Sequence, residues 1–144
     1  MTLHILLADD DLADQNLFIE ALKELKIKCA VNTVDNGMQL MEYLAKIEVM
    51  PNLLFLDLNM PRKNGMECLK EIRSNPDFKN ILIAVYSTSA AEKDIDETFL
   101  NGANVYIKKP NDFATLKQLL RKAVTTSYLY QDGSFDKENF FLCI

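Results

Sequence analysis

The chain has 144 residues, enough for one domain with a full core. Its formal net charge of −5 argues against direct nucleic-acid binding as its main task and fits a protein that meets cations or basic patches. No apolar run approaches the roughly 20 residues of a membrane span, and the start MTLHILLADDD has neither a basic segment nor a small-residue cleavage site, so neither membrane nor secretion is expected.

Short apolar runs alternate with helical patterns along the chain. LHILLA (3–8) reads as a strand, and Phe18, Ala21, Leu22 and Leu25 then form the i, i+3, i+4, i+7 stripe of a first helix. KCAVNTV (28–34) is a more polar strand, punctuated by Asp35-Asn36-Gly37. Leu40, Tyr43, Leu44 and Ile47 stripe a second helix, which Pro51 and Asn52 break. LLFLDL (53–58) reads as a fully buried strand, and Met66, Leu69 and Ile72 mark a third helix ending near Pro76. ILIAVYS (81–87) is a fourth strand, followed by a charged, weakly striped helix over 90–101 anchored by Ile95 and Phe99. NVYIKK (104–109) is a fifth strand, Pro110 ends it, and Asn111-Asp112 can cap a last helix striped by Leu116, Leu119, Leu120 and Ala123. The end, 127–144, belongs to no further unit and reads as a helix extension and tail after a domain of residues 1–126.

Near-continuous apolar strands joined by helices imply a parallel sheet covered on both faces, that is, a doubly wound α/β domain of five strands. Ligand sites in such sheets lie outside the carboxyl ends of the strands. The first strand ends in Asp9 and Asp10, the third in Asp57 with Asn59 close behind, the fourth in Ser87 and Thr88, and the fifth in Lys109. One rim therefore gathers carboxylates, a hydroxyl and an amine. Asp9, Asp10 and Asp57 form a set of hard oxygens suited to Mg²⁺ (or Mn²⁺), whose charge offsets their mutual repulsion. Lys109 supplies a point charge and Ser87 a hydrogen bond for a phosphoryl group, with Asp57 as the nucleophile that forms an acyl phosphate.

The cysteines, Cys29, Cys68 and Cys143, are odd in number and widely spaced, which suggests reduced thiols in a cytoplasmic setting rather than disulfides or a zinc site. His4 is the sole histidine and makes no metal cluster.

ILLADDD, LLFLDLNMPRKNG, AVYSTS and YIKKP, in that order, resemble the signature blocks of the receiver domain of two-component response regulators, and the likeness covers residues 3–124. It implies a flavodoxin-like (CheY-like) sheet of order 2-1-3-4-5. It also implies Asp57 as phosphoacceptor, Asp10 as a direct Mg²⁺ ligand, Asp9 as an acid acting through water, and the backbone carbonyl of Asn59 as the remaining protein ligand. Ser87 then matches the switch hydroxyl (preferred over its neighbour Thr88), Tyr106 the switch aromatic and Lys109 the phosphoryl-binding lysine. Lys109-Pro110 matches the family's usual cis peptide. The expected function is a phosphorylation-controlled switch of a protein contact surface, charged by a histidine kinase or phosphotransfer protein, with no catalysis beyond its own phosphorylation and dephosphorylation.

STSAAEKDI and GANVYIKKP further resemble single-domain regulators associated with bacterial phytochromes, which suggests a homodimer through the last-helix region. The apolar end FFLCI (140–144) has two readings, packing back on its own domain or contact with a second copy or partner. Two rivals are weaker. A Mg²⁺-dependent phosphohydrolase needs an acid two positions after the nucleophile, where Asn59 stands. A phosphate-blind receiver would have lost an acid, the lysine or the acceptor, and none is lost.

Overall fold

The computed structural model describes residues 2–129 and 141–142, with side chains from 2 to 125. Five parallel strands, β1 (Leu3–Ala8), β2 (Cys29–Val34), β3 (Leu53–Leu56), β4 (Leu82–Ser87) and β5 (Val105–Lys108), stand in the order 2-1-3-4-5. Five helices connect and follow them: α1 (Leu12–Glu24), α2 (Gly37–Lys46), α3 (Gly65–Ser74), α4 (Glu92–Leu100) and α5 (Phe113–Leu129).

The sheet has two apolar faces because its strands alternate with period two. Leu6, Ala8, Leu54, Leu56, Ile83, Val85 and Tyr106 face Leu40 and Leu44 of α2 and Cys68, Leu69 and Ile72 of α3, with Ile95 and Phe99 of α4 packed alongside. Ile5, Leu7, Leu53, Phe55, Ala84, Tyr86, Val105 and Ile107 face Phe18, Ala21 and Leu22 of α1 and Leu116, Leu119, Leu120 and Ala123 of α5. Phe18, Phe55 and Tyr86 meet edge to face there, with ring centroids 4.8 Å apart for Phe18–Phe55 and 5.9 Å for Phe18–Tyr86.

Local chemistry starts each helix. Asp11 caps α1 by accepting from the Asp14 N–H, and Asn36 caps α2 through Gln39. Asn64 and Glu67 form a reciprocal capping box at α3. Asp112 accepts from both the N–H and the hydroxyl of Thr115 at the start of α5. α4 has no side-chain cap of its own, since Ala91 occupies that position. The α1–β2 turn places Lys26 at φ 57°, and its N–H donates to the Lys23 carbonyl. That left-handed geometry at the end of a helix favours glycine.

Two expectations change, and a third lies outside the described residues. The sheet gains a sixth strand, β6 (Phe141–Leu142), parallel to β5 with Tyr106 opposite Phe141 and Ile107 opposite Leu142. Two residues are too short a run to carry a strand pattern in sequence. The rest of the apolar tail, residues 140, 143 and 144, lies outside the described residues, as do Cys143 and the two readings of the tail's contacts. Finally, Lys109–Pro110 is not cis, for the described residues contain no cis peptide. The trans form is the lower in energy for an X-Pro bond, by about 0.5–1 kcal/mol.

At the amino end of the sheet, Arg73 of α3 ties three segments together. Its guanidinium donates to the carbonyls of Gly102 (2.8 Å), Phe78 (3.4 Å) and Ile81 (2.8 Å) and to Asn104 Oδ1 (2.9 Å). Arg73→Ala should therefore cost about 2–3 kcal/mol in urea unfolding, because these acceptors lose a charged donor together. Lys26→Gly should act oppositely, raising stability by about 0.5–1 kcal/mol in the same assay by relieving the left-handed backbone.

Candidate functional site

The order of the sheet reverses around β1, which has β2 on one side and β3 on the other, so a crevice opens at the carboxyl ends of β1 and β3. Ala8 pairs with Leu56, and the Asp57 N–H donates to the Ala8 carbonyl at 2.9 Å. Asp9 and Asp57 are thus the next residues of two strands already in register. The carboxylates of Asp9, Asp10 and Asp57 offer oxygens that all lie within 4.8 Å of one another. Asp9 is buried at 0% exposure and Asp57 at 4%, while Asp10 is exposed, so the cluster is open on one side.

Lys109 follows β5, and its N–H donates to the Ser87 carbonyl at 2.7 Å, which ties it to the end of β4. Its ammonium reaches into the acids. Nζ stands 2.9 Å from Asp9 Oδ2, 3.0 Å from Asp14 Oδ2 and 3.4 Å from Asp57 Oδ2. It also lies 5.2 Å from the centroid of the Tyr86 ring. Asp9 Oδ1 accepts the Asp11 N–H, but Asp9 Oδ2 is buried and accepts no hydrogen bond, so the lysine meets it as an ion pair without hydrogen-bond geometry. Asp57 Oδ1 accepts the Asn59 N–H at 3.2 Å.

One ammonium does not balance this much buried negative charge. Burial pushes the Asp57 carboxyl up to about 6, with the neighbouring Asp9 adding to the rise and Lys109 opposing it. Burial also raises Asp9, against the Asp11 N–H and Lys109. Burial alone would lower Lys109, but its contacts with Asp9 and Asp14 and the charge of Asp57 outweigh that and hold it firmly protonated. A hard divalent cation fits such a place by three marks: carboxylate oxygens as donors, a buried carboxylate oxygen that accepts no hydrogen bond, and an exposed acid at the mouth.

The remaining candidates fall on the same rim. Val85 is level with Leu56, so buried Ser87 stands one residue beyond the level of Asp57. Ser87 Oγ accepts the Ser89 N–H at 3.2 Å. Tyr106 is fully buried, and its hydroxyl donates to the Ser89 carbonyl at 2.9 Å. Thr88 points to solvent, so Ser87 is the inward hydroxyl of the pair. Pro110 is half-buried beside Lys109. Gly65 opens α3 where a Cβ would lie 2.2 Å from the Asp57 carbonyl oxygen, so only glycine lets that helix start against the site.

Three members of the site were not singled out in the sequence. Asp14 supplies a third carboxylate to Lys109; its signal is the third position after the Asp11 cap, in the first turn of a helix that starts at the rim. Buried Gln15 donates to the Asp9 carbonyl (2.6 Å) and to Asp35 Oδ1 (2.8 Å), fixing the backbone under the acids. Ser89 joins Ser87 and Tyr106 to α4, its hydroxyl donating to Asp94 Oδ2 at 2.7 Å. No helix among the described residues is long and apolar enough to cross a membrane.

Known proteins share this arrangement. The family model for the response regulator receiver domain matches residues 5–121. The response regulator Rcp1 of Synechocystis sp. is 34% identical over 122 residues, covering 81% of this chain and 83% of its own. The crystal structure of the phosphorylated cyanobacterial phytochrome response regulator RcpA superposes with a TM-score of 0.80 at 36% identity, covering 90% of this chain and 96% of that one. The Mn²⁺-bound form of Rcp1 superposes with a TM-score of 0.77 at 32% identity, covering 88% of this chain and 94% of that one. With the matched span running from β1 into α5 and enclosing every acid and the lysine of the rim, the chain belongs to the receiver domain family of response regulators.

Proposed function

We propose that this receiver domain accepts a phosphoryl group on Asp57 from a histidine kinase or a histidine phosphotransfer protein. The observation that carries the reading is the convergence of Asp9, Asp10 and Asp57 with Lys109 at the switch point of the sheet. An Asp57 carboxylate oxygen attacks the phosphorus, the bond to the donor's imidazole nitrogen breaks, and the nitrogen leaves with the electron pair. Lys109 is placed to pair with a phosphoryl oxygen, and the Ser87 hydroxyl to donate to another. Asp9, Asp10, Asp57 and the backbone carbonyl of Asn59 would hold Mg²⁺ or Mn²⁺, a choice supported by the Mn²⁺ named for the Rcp1 relative. Bound there, the cation would neutralise charge on the carboxylates and on the incoming phosphoryl group.

The switch follows from how Ser89 is tied. If Ser87 Oγ turns to the phosphoryl group, it gives up the Ser89 N–H; Ser89 also receives the Tyr106 hydroxyl and holds Asp94 of α4. One hydroxyl movement therefore loosens the β4–α4 loop, the aromatic and the start of α4 together. The output is a changed protein contact surface on α4, β5 and α5, in a cytoplasmic signalling protein that catalyses only its own phosphorylation and dephosphorylation. Asn59 supports the last point, since the position carries an amide where a phosphohydrolase keeps a proton-transferring acid.

Acetyl phosphate with Mg²⁺ should add one phosphoryl group to the wild-type protein by intact mass, and none to Asp57→Asn; transfer to another residue in that variant would refute the assignment. The electrostatics give a second test. An acid whose folded pKa is raised binds protons that the unfolded chain has already released, so its contribution to stability is lost as pH rises from about 4 through about 6. In metal-free buffer, Asp57→Asn should be more stable than wild type by about 1–3 kcal/mol at pH 7.5, and the difference should close near pH 4. Added Mg²⁺ should raise the wild-type midpoint and leave that of Asp57→Asn nearly unmoved.

A further inference from the structure

The lysine ammonium has three donor hydrogens and three carboxylate neighbours. Their distances are unequal: 2.9 Å to Asp9 and 3.0 Å to Asp14, against 3.4 Å to Asp57. The two shorter contacts lie on the β1–α1 side of the crevice, and the hydrogen bond to Asp57 Oδ2 is the longest of the three. Asp14 is itself held in place, because its N–H donates to the capping side chain of Asp11 in the first turn of α1. The acid belongs to a different element from the lysine, 95 residues away in sequence, so the contact joins α1 to the end of β5.

We propose that Asp14 is a positioning residue that biases Lys109 toward the β1–α1 side of the crevice and competes with a phosphoryl group for it. The proposal rests on the phosphoacceptor reading above. Asp9 is one of the three acids of the candidate cation site and would be drawn toward a cation bound there, whereas Asp14 lies outside that set and would keep its contact with the ammonium. A phosphoryl oxygen then shares the ammonium with Asp14 and competes with it for the lysine's charge. The side chain of Asp14 is about one-third exposed, so water can solvate its carboxylate once the lysine leaves. The strength of this contact therefore tunes how tightly the site grips a phosphoryl group.

The test uses the whole protein with saturating Mg²⁺ and trifluoroberyllate, a phosphoryl stand-in, titrated by calorimetry. Asp14→Asn should bind the probe about three- to ten-fold more tightly than wild type, the scale of one partly exposed charged contact. Asp14→Glu should return the affinity to near the wild-type value. Asp11→Asn is the control, since asparagine still caps α1 and the same charge is removed without touching Lys109; its affinity should change by less than about two-fold. A second readout needs neither metal nor probe: the Lys109 Nζ proton resonance, slowed from exchange by its ion pairs, should broaden in Asp14→Asn and persist in Asp11→Asn. Equal tightening in Asp14→Asn and Asp11→Asn, or an unchanged Lys109 resonance in Asp14→Asn, would overturn the role of Asp14 and leave the phosphoacceptor reading standing. Failure of wild type to bind the probe would overturn that reading, and this proposal with it.

Discussion

A single buried ammonium set among carboxylates is the constraint on which the rest of the site depends. Two of the acids, Asp9 and Asp57, are withdrawn from water, and charges so placed persist only if something offsets them. Lys109 does part of this, while burial and the neighbouring Asp9 still push the Asp57 carboxyl upward. The fold brings the residues together through strand register rather than through any local motif. Ala8 lies opposite Leu56 in one pair and Ser87 opposite Lys108 in another, so the next residues, Asp9, Asp57 and Lys109, emerge at the same rim. Sliding β3 by one residue would turn Asp57 to the other face and exchange Phe55 and Leu56 between the two cores. The packing of the sheet therefore enforces the chemistry at its edge.

The site reaches the surface by a short path. Ser89 takes part in four hydrogen bonds, with Ser87, Tyr106, Asp94 and Ala91, and the first three partners lie on different elements. α4 depends on this residue more than the other helices depend on their loops. Ala91 at its start offers no side-chain cap, and the Ser89 hydroxyl accepts the Ala91 N–H while donating to Asp94. The same hydroxyl thus substitutes for a missing cap. A helix so started responds to displacement of one loop residue, whereas α3, closed by its own capping box, does not share that dependence.

The sequence made the sheet and its rim legible because both follow from periodicity. Near-continuous apolar runs assigned β1, β3, β4 and β5 to a sheet covered on both faces, and the acids stood where those runs stopped. The three aspartates that follow β1 show where this reading ends. They look alike in sequence, yet Asp9 is buried in the cluster, Asp10 is exposed at its mouth, and Asp11 spends its carboxylate on the α1 cap. The phase of the strand's end and the start of the helix decide among them, and neither is fixed by residue type. Asp14 escaped for a related reason, since an acid in a first helical turn is already explained by the helix dipole. Only its distance to Lys109, across 95 residues of chain, shows a second partner. Ser89 and Gln15 each make part of their contacts with backbone atoms, the Tyr106 hydroxyl meeting the Ser89 carbonyl and the Gln15 amide the Asp9 carbonyl, for which sequence has no symbol.

The two half-buried cations at opposite ends of the sheet show why Lys109 suits the rim. Arg73 sits at the amino end, where its planar fork meets three carbonyls and the Asn104 side chain. Those acceptors are neutral and belong to fixed backbone or to a side chain that also accepts the Ile83 N–H, so the geometry is determined and nothing there gains by moving. Lys109 meets carboxylates instead, with a compact charge on a flexible stem whose three hydrogens can be reassigned among partners. An arginine at the rim would lock one carboxylate in a two-point grip and resist its release. A lysine loses one contact at a time, and each carboxylate it leaves still has water or a cation to turn to. The amino end is therefore built to stay as it is, and the carboxyl end to exchange partners.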